Sequence, residues 1–131
     1  MSAAARIVYD GMRAAPVRVS ALDPDAVKVV TLDIEDWLRG EALSQQRWHP
    51  PAGIVIGDGA AQKTIGTGEV LTPAAPQFFV DPDEGRLVVA ASVWVDDANP
   101  PTLLRDVEIV VSLSTSTRGD DRTVIMRVRD R

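Results

Sequence analysis

The chain has 131 residues, a hydrophobic content of 45%, a charged content of 25% and a net charge of −5. This size and composition are typical of one globular domain with a short extension, and they argue against wholesale disorder. The absence of cysteine excludes a disulfide framework and a thiolate metal site. No apolar run approaches the roughly 20 residues that cross a bilayer, so we expect no membrane partner.

The charge is distributed unevenly along the chain. Residues 1–22 carry three arginines against one aspartate, which is +2, and residues 118–131 carry five arginines against three aspartates, again +2. The stretch between them holds six basic and fifteen acidic residues, which is −9. Because an acidic body repels phosphate backbones, we expect no nucleic-acid partner. The basic ends suit an acidic protein neighbour, although ordinary solvated surface shows the same pattern.

Residues 1–26 are predicted to form an N-terminal arm that a partner orders, and residues 27–131 a β-rich domain. The arm is rich in alanine and arginine, and neither half has an apolar face of its own. Asp23-Pro24 predicts a turn just before the domain. The first sixteen residues lack the apolar core of a secretory signal. We therefore expect the protein to act where it is made or to leave with an assembly.

From residue 27 onward, short runs of alternating apolar and polar residues are separated by turn signals. Val30, Leu32 and Ile34 have the period of two that is typical of a half-buried strand. In the longest run, one predicted face holds Leu87, Val89, Ala91, Val93 and Val95, and the other holds Val88, Ala90, Ser92 and Trp94. The pattern predicts an antiparallel sandwich or barrel in which the last two strands form a hairpin.

One stretch, DIEDWLRGEALSQQRWHPPAGI, combines Asp33, Glu35 and Asp36 with His49, the only histidine of the chain. General acid–base catalysis needs two groups with separated pKa values in one pocket. Nothing in the sequence brings His49 near the three acids, so we expect no enzyme activity from them. They are interpreted as solvated corner residues or as acceptors of turn hydrogen bonds, and His49 is left without a role.

Two short motifs are also interpreted as turns. GDGAAQKT, residues 57–64, resembles a phosphate-binding loop, but Gln62 stands where the second glycine is required and no helix is predicted to follow. Arg118-Gly119-Asp120 matches the tripeptide of integrin ligands, yet a hairpin turn needs the same residue types. We therefore predict no cofactor.

The aromatic residues divide between a core role and a surface role. Trp37 and Leu38 are predicted to plug the corner onto the sheet, and Trp48 to lie in the same core. Trp94 lies opposite the valine face of its strand, which predicts the outer surface or an interface. Together with the carboxylates of DPDEG (81–85) and Asp96-Asp97, Trp94 leaves a carbohydrate- or calcium-binding module as an alternative. A hairpin turn explains DPDEG without metal, so we predict no metal site.

The order of these features resembles a family of small tailed-bacteriophage virion proteins, the fibre–tail adaptors. The likeness lies in DWL, a following glycine, a strand that ends in Trp48, then Pro51 and GI, and later in VEIVVSLSTS and TVIMRVRDR. It covers about residues 27–131 and consists of residues that make a fold. The segment DDANPPTLLRD and the long arm depart from the family pattern.

The resemblance implies an immunoglobulin-like antiparallel β-sandwich of six to eight strands without catalytic activity. It also implies a homo-oligomer, made in the host cytoplasm and located in the virion tail, with tail and fibre proteins as partners. A capsid decoration (cement) protein is the alternative within the same class. The candidate partner-binding residues are Arg6, Tyr9, Arg13, Arg18, Trp94, Arg127 and Arg129.

Overall fold

The computed structural model describes residues 8–10, 17–101 and 105–129. Within these residues no helix has the length and apolarity to span a lipid bilayer. In chain order the elements are β1 (Val8–Asp10), β2 (Val17–Arg18), β3 (Lys28–Asp33), α1 (Glu35–Leu38), β4 (Gln45–His49), β5 (Ile54–Ile56), β6 (Lys63–Thr64), β7 (Val70–Leu71), β8 (Gln77–Val80), β9 (Leu87–Val95), β10 (Asp106–Ser114) and β11 (Gly119–Arg127).

The first sheet is built around β9, a strand of nine residues. On one side β9 pairs with β3, and on the other it pairs with β8 and then with β5, all antiparallel. At the far edge β1 pairs with β3 in parallel, with Tyr9 level with Leu32. A strand that is covered on both faces reads as a nearly continuous apolar run, and LVVAASVWV has that composition.

The second sheet is centred on the hairpin of β10 and β11, in which Ser114 lies opposite Gly119. This confirms the predicted hairpin of the last two strands. On the free side of β10, β4 pairs antiparallel, and on the free side of β11, β2 pairs in parallel. The strand order is therefore β2-β11-β10-β4.

The inward side chains of the two sheets form one hydrophobic core, so the predicted all-β sandwich is confirmed. Alternate residues of a strand point to opposite faces. Four of the five predicted inward residues of β9 lie in this core, and the fifth, Leu87, is partly buried and packs against it. It contains Val30 and Leu32 of β3, Val89, Ala91, Val93 and Val95 of β9, and Val107, Ile109, Val111 and Leu113 of β10.

The outward face of β9 is buried as well, and this corrects the prediction for Trp94. Trp94 is only 2% exposed, and Val88 and Ala90 on the same face are also buried. The connection from β5 to β8, which contains the β6–β7 hairpin, passes beside this face, where Ala74 and Ala75 line a small cavity together with Ala90 and Ser92. The predicted surface and partner-binding position of Trp94 is therefore wrong.

Residues 17–26, which were predicted as part of the arm, belong to the sandwich. Val17, Val19 and Leu22 are buried in the core. The N–H groups of Val19 and Leu22 donate to the carbonyls of Ile125 and Arg127 in β11, at 2.9 and 2.8 Å. The predicted domain boundary after residue 26 is too late, because two alternating valines are too short a run to indicate a strand before the pairing partner is known.

Candidate functional site

Three carboxylates of the corner after β3 surround one arginine. Arg86, just before β9, donates from Nε to Asp33, and its Nη1 and Nη2 lie 3.3 Å from Glu35 and 3.2 Å from Asp36. The hydrogen bond with Asp33, and then the one with Asp36, raise the pKa of Arg86 further above its ordinary value. Asp33 also accepts the N–H of Glu35 at 3.1 Å, which is the turn hydrogen bonding that the sequence suggested, and the Asp36 side chain is 71% exposed. In addition, the three acids fasten the corner to β9 through Arg86.

Trp37 organises the same end of the sandwich. Its Nε1–H donates to the Asp120 carboxylate at 2.8 Å, while the Arg118 guanidinium lies 4.5 Å from the centre of its ring and donates to its carbonyl. Trp37 and Leu38 are buried, as is Trp48, whose Nε1–H donates to Gln46 at 2.9 Å. Both charged side chains of the Arg-Gly-Asp tripeptide therefore form contacts within this chain.

Glu41 connects this corner to the loop between β10 and β11. The hydroxyls of Thr115 and Thr117 donate to one carboxylate oxygen at 2.6 and 2.7 Å, and Nε of Arg118 lies 3.6 Å from the other. The Thr115 hydrogen bond first, then those from Thr117 and the Arg118 charge, lower the pKa of Glu41 below its ordinary value. The carboxylate thus holds the arginine against Trp37.

His49 belongs to a different polar group, on the outer face of the second sheet. Its Nε2 lies 3.1 Å from the Ser112 hydroxyl, which donates to Asp121 at 2.7 Å. Because the serine proton goes to the carboxylate, the hydroxyl accepts from His49. A nucleophilic triad needs the opposite direction, with serine donating to histidine. The group therefore ties β4, β10 and β11 together, and no corner acid takes part in it.

The residues of GDGAAQKT serve the fold. Asp58 accepts the N–H groups of Ala61 and Ala60 at 2.7 and 2.8 Å, and these bonds lower the pKa of Asp58. The Lys63 side chain is 2% exposed and donates to the carboxylate of Asp97 at 2.8 and 2.9 Å. A phosphate-binding lysine must reach its ligand, whereas this one is buried.

The DPDEG turn has the predicted form, because Asp81 donates its N–H to the Arg86 carbonyl and accepts the N–H of Gly85. The buried Asp81 carboxylate also accepts the N–H of Glu84 at 2.9 Å. Across the residues that the structure describes, no three His, Asp or Glu side chains form a group that could hold a metal ion. Trp94, the aromatic residue behind the carbohydrate-binding alternative, is buried.

The candidate partner-binding residues fall into separate places. Arg6 and Arg13 lie outside the described residues, and Tyr9 is placed by its backbone in β1 at the edge of the first sheet. The remaining three, Arg18, Arg127 and Arg129, lie near one edge of the second sheet and are exposed.

Arg18 and Arg127 share one carboxylate. They contact Asp106 at 3.1 and 3.3 Å, and the hydrogen bond from Arg18, followed by that from Arg127, lowers the pKa of Asp106. The structure thus brings together two of the arginines that the sequence named separately.

Sequence reasoning missed a groove at one end of the sandwich. It consists of two adjoining cavities of about 460 and 400 Å³ that share Asp25 and Ile65. We call it the acidic groove and define it by Asp23, Pro24, Asp25, Ile65, Val95, Asp97, Pro100 and Pro101. These residues come from three distant parts of the chain, so no local pattern could have indicated the groove.

Comparison with known proteins gives no relative for this chain. No family model, no curated protein and no solved structure matches it. Its function therefore has to be inferred from its own residues and geometry.

Proposed function

We propose that the chain is a structural, non-enzymatic protein of a tailed-phage virion, an adaptor that connects the tail to fibres or spikes. It would be made in the host cytoplasm and be present in the tail in several copies. Its partners would be tail and fibre proteins, without nucleic acid or membrane. We further propose that the sandwich is immunoglobulin-like. The resemblance in the DWL corner and the last two strands supports this assignment.

The observation that carries the proposal is the way the N-terminal region meets the sandwich. β1 adds in parallel to the edge of the first sheet and β2 adds in parallel to the edge of the second. An N-terminal region that extends two different sheets uses the backbone pairing of β-augmentation, by which segments also join sheets of neighbouring subunits. Exposed sheet edges of an adaptor would be extended in the same manner.

The polar groups support a binding role over a catalytic one. Asp33, Glu35 and Asp36, which the sequence offered for catalysis, are each paired with Arg86 of the same chain. Asp33 and Glu35 also accept backbone N–H groups. A catalytic acid or base must reach the proton that it transfers. Hydrogen bonds and ion pairs within the chain instead make the sandwich rigid, as a connecting subunit needs to be.

Removal of residues 1–16 tests the proposal, because it spares the buried Val17. Particles assembled with the shortened chain should carry far fewer fibres per tail, counted by electron microscopy. The double variant Arg6→Gln and Arg13→Gln keeps the backbone that pairs and removes only charge, so it separates the contribution of these two candidate partner-binding arginines from that of backbone pairing. Normal fibre occupancy with the shortened, folded chain would rule out the arm as a docking element.

A further inference from the structure

The outer edge of β8 carries backbone groups that face away from the sheet. Asp81, directly after β8, donates its N–H to the Arg86 carbonyl at 2.7 Å, towards β9. Because the backbone groups of successive strand residues point to opposite sides of the strand, those of Phe78 and Val80 point away from β9. Among the described residues, β8 pairs with β9 alone. The N–H and carbonyl groups of Phe78 and Val80 are therefore available to a further strand.

The side chains at this edge are apolar and accessible. Phe78 and Val80 are 38% and 56% exposed. Their cross-strand neighbours in β9 are Val89 and Leu87, which lie in the core or pack against it. Phe78 and Val80 thus lie on the core face of the first sheet, at a place where the sandwich does not fully cover them. A strand added at this edge would cover both side chains.

The segment that contains β8 has no charge. Residues 70–80 include no charged side chain, although the chain as a whole has a net charge of −5. Natural edge strands are commonly protected from pairing by charged residues. In a twofold contact, residues near the axis meet the same residues of the other copy, so a charge there would repel its own counterpart. Two acidic molecules can therefore approach each other at this segment without such repulsion.

Two prolines limit the length and the register of a partner strand. Pro76 and Pro82 have the same parity as Phe78 and Val80 and so face the outer edge, but they have no N–H to donate. When two β8 strands pair antiparallel with Phe78 opposite Val80, all four hydrogen bonds lie between the prolines. A shift of the register by two residues would instead set a proline ring against a backbone carbonyl. A second copy of β8 fits the length and pattern of this edge.

We propose that two copies of this chain associate by antiparallel pairing of their β8 strands, about a twofold axis that passes between the two Phe79 residues. Phe78 of each copy then lies opposite Val80 of the other, which is a stabilising pair of an aromatic and a β-branched residue. The first sheets of the two copies join into one continuous sheet. This inference deepens the proposed function, and it rests on that function for the presence of several copies in one particle.

Cysteine cross-linking tests the register, because the natural chain has no cysteine. At the axis, the two Phe79 residues form a non-hydrogen-bonded pair, whose Cα atoms lie about 4.5 Å apart, and a disulfide can span that distance. Phe79→Cys should therefore give a disulfide-linked dimer under mild oxidation. Gln77→Cys is the matched control. Residue 77 is more exposed than residue 79, but its two copies would lie roughly 14 Å apart along the strands. It should cross-link at least about tenfold more slowly, since a disulfide cannot span that distance.

Sedimentation velocity tests the association itself with the full natural chain. One short strand pair is a small interface, so we expect a weak monomer–dimer equilibrium, with dimer detected at concentrations up to about 1 mM. Val80→Lys should raise the dissociation constant at least about tenfold, because it places a charge on the edge. Val29→Lys is its control and should leave the constant unchanged, since Val29 is similarly exposed, at 52%, but lies in β3, which is paired on both sides.

A natural chain that stays monomeric throughout this concentration range would overturn the inference, as would a Gln77→Cys variant that cross-links as fast as Phe79→Cys. If Phe79→Cys does not fold, the comparison of Val80→Lys with Val29→Lys still decides the question. The outcome is separable from that of the proposed function. A monomer that is found in virion tails would remove only the strand pairing, whereas a dimer that is absent from particles would remove only the virion assignment.

Discussion

At the scale of single residues, Trp37 shows how one side chain joins apolar and polar stabilisation. Its ring is buried beneath the Arg118 guanidinium, and its N–H is satisfied by Asp120. A tryptophan in a core needs such a partner for its indole N–H, and the stacked cation adds an electrostatic attraction to the ring. Because Glu41 holds Arg118, the carboxylate stabilises the tryptophan indirectly.

The charge of Glu41 should therefore make stability depend on pH. Since its pKa is lower in the folded protein than its ordinary value of 4.5, its contribution is present above that value and is lost as the pH falls through the folded pKa. Glu41→Gln keeps an oxygen for Thr115 and Thr117 but removes the charge. We expect it to lower the urea midpoint at pH 7 and to have little effect at strongly acidic pH.

Urea titrations at several pH values between neutral and strongly acidic measure this difference. Glu69→Gln is the control, because Glu69 is exposed in the turn between β6 and β7 and its replacement should leave the midpoint unchanged. A difference between the natural chain and Glu41→Gln that stays constant with pH would show that the charge of Glu41 does not stabilise the fold.

At the scale of secondary-structure elements, one buried lysine holds three parts of the chain together. Lys63 in β6 bonds to the turn before β3, to the end of β9 and to the loop that follows β9. A buried ammonium is costly unless it is paired, and Asp97 is its carboxylate partner. The β6–β7 hairpin, which has only two residues in each strand, depends on this bond for its position.

Removal of the partner should therefore destabilise the fold more than removal of the pair. We expect Asp97→Ala to lower the free energy of unfolding by about 2 kcal/mol, which is less than for a fully buried pair because Asp97 is 55% exposed. Adding Lys63→Met should recover part of this loss, since no charge then remains buried. Thermal and urea unfolding measure both variants.

Asp83→Ala is a suitable control, because Asp83 is exposed in the turn between β8 and β9 and its loss should change stability by less than about 0.5 kcal/mol. An Asp97→Ala variant as stable as the natural chain would mean that Lys63 finds water or other acceptors, and the bond would then not hold the hairpin.

Some elements could be predicted from the sequence because their information is local. The inward faces of β9, β10 and β11 follow from period-two alternation over nine residues. β2 and the β6–β7 hairpin are too short to show a period, and the burial of Trp94 depends on a segment that folds back over its strand. Likewise, Arg86 and Asp33 are 53 residues apart, so their ion pair could not be predicted from spacing.

At the scale of the whole molecule, the surfaces formed by the described residues differ in charge and in apolar exposure. Carboxylates line the acidic groove, while Phe78 and Val80 of the edge strand β8 are exposed. An apolar edge strand without a charged residue is open to pairing with another chain. A molecule whose polar groups are tied internally and whose edges invite pairing is suited to assembly, which supports the proposed function.

Imaging of purified particles, from a genome that encodes this chain and at a resolution that identifies the sandwich, tests the central claim most directly. We predict several copies in a fixed number at the junction of tail and fibres, with the arm against a neighbouring subunit. Copies on the capsid lattice would replace the adaptor with a decoration protein. Particles that lack the chain altogether would contradict a structural role in the virion.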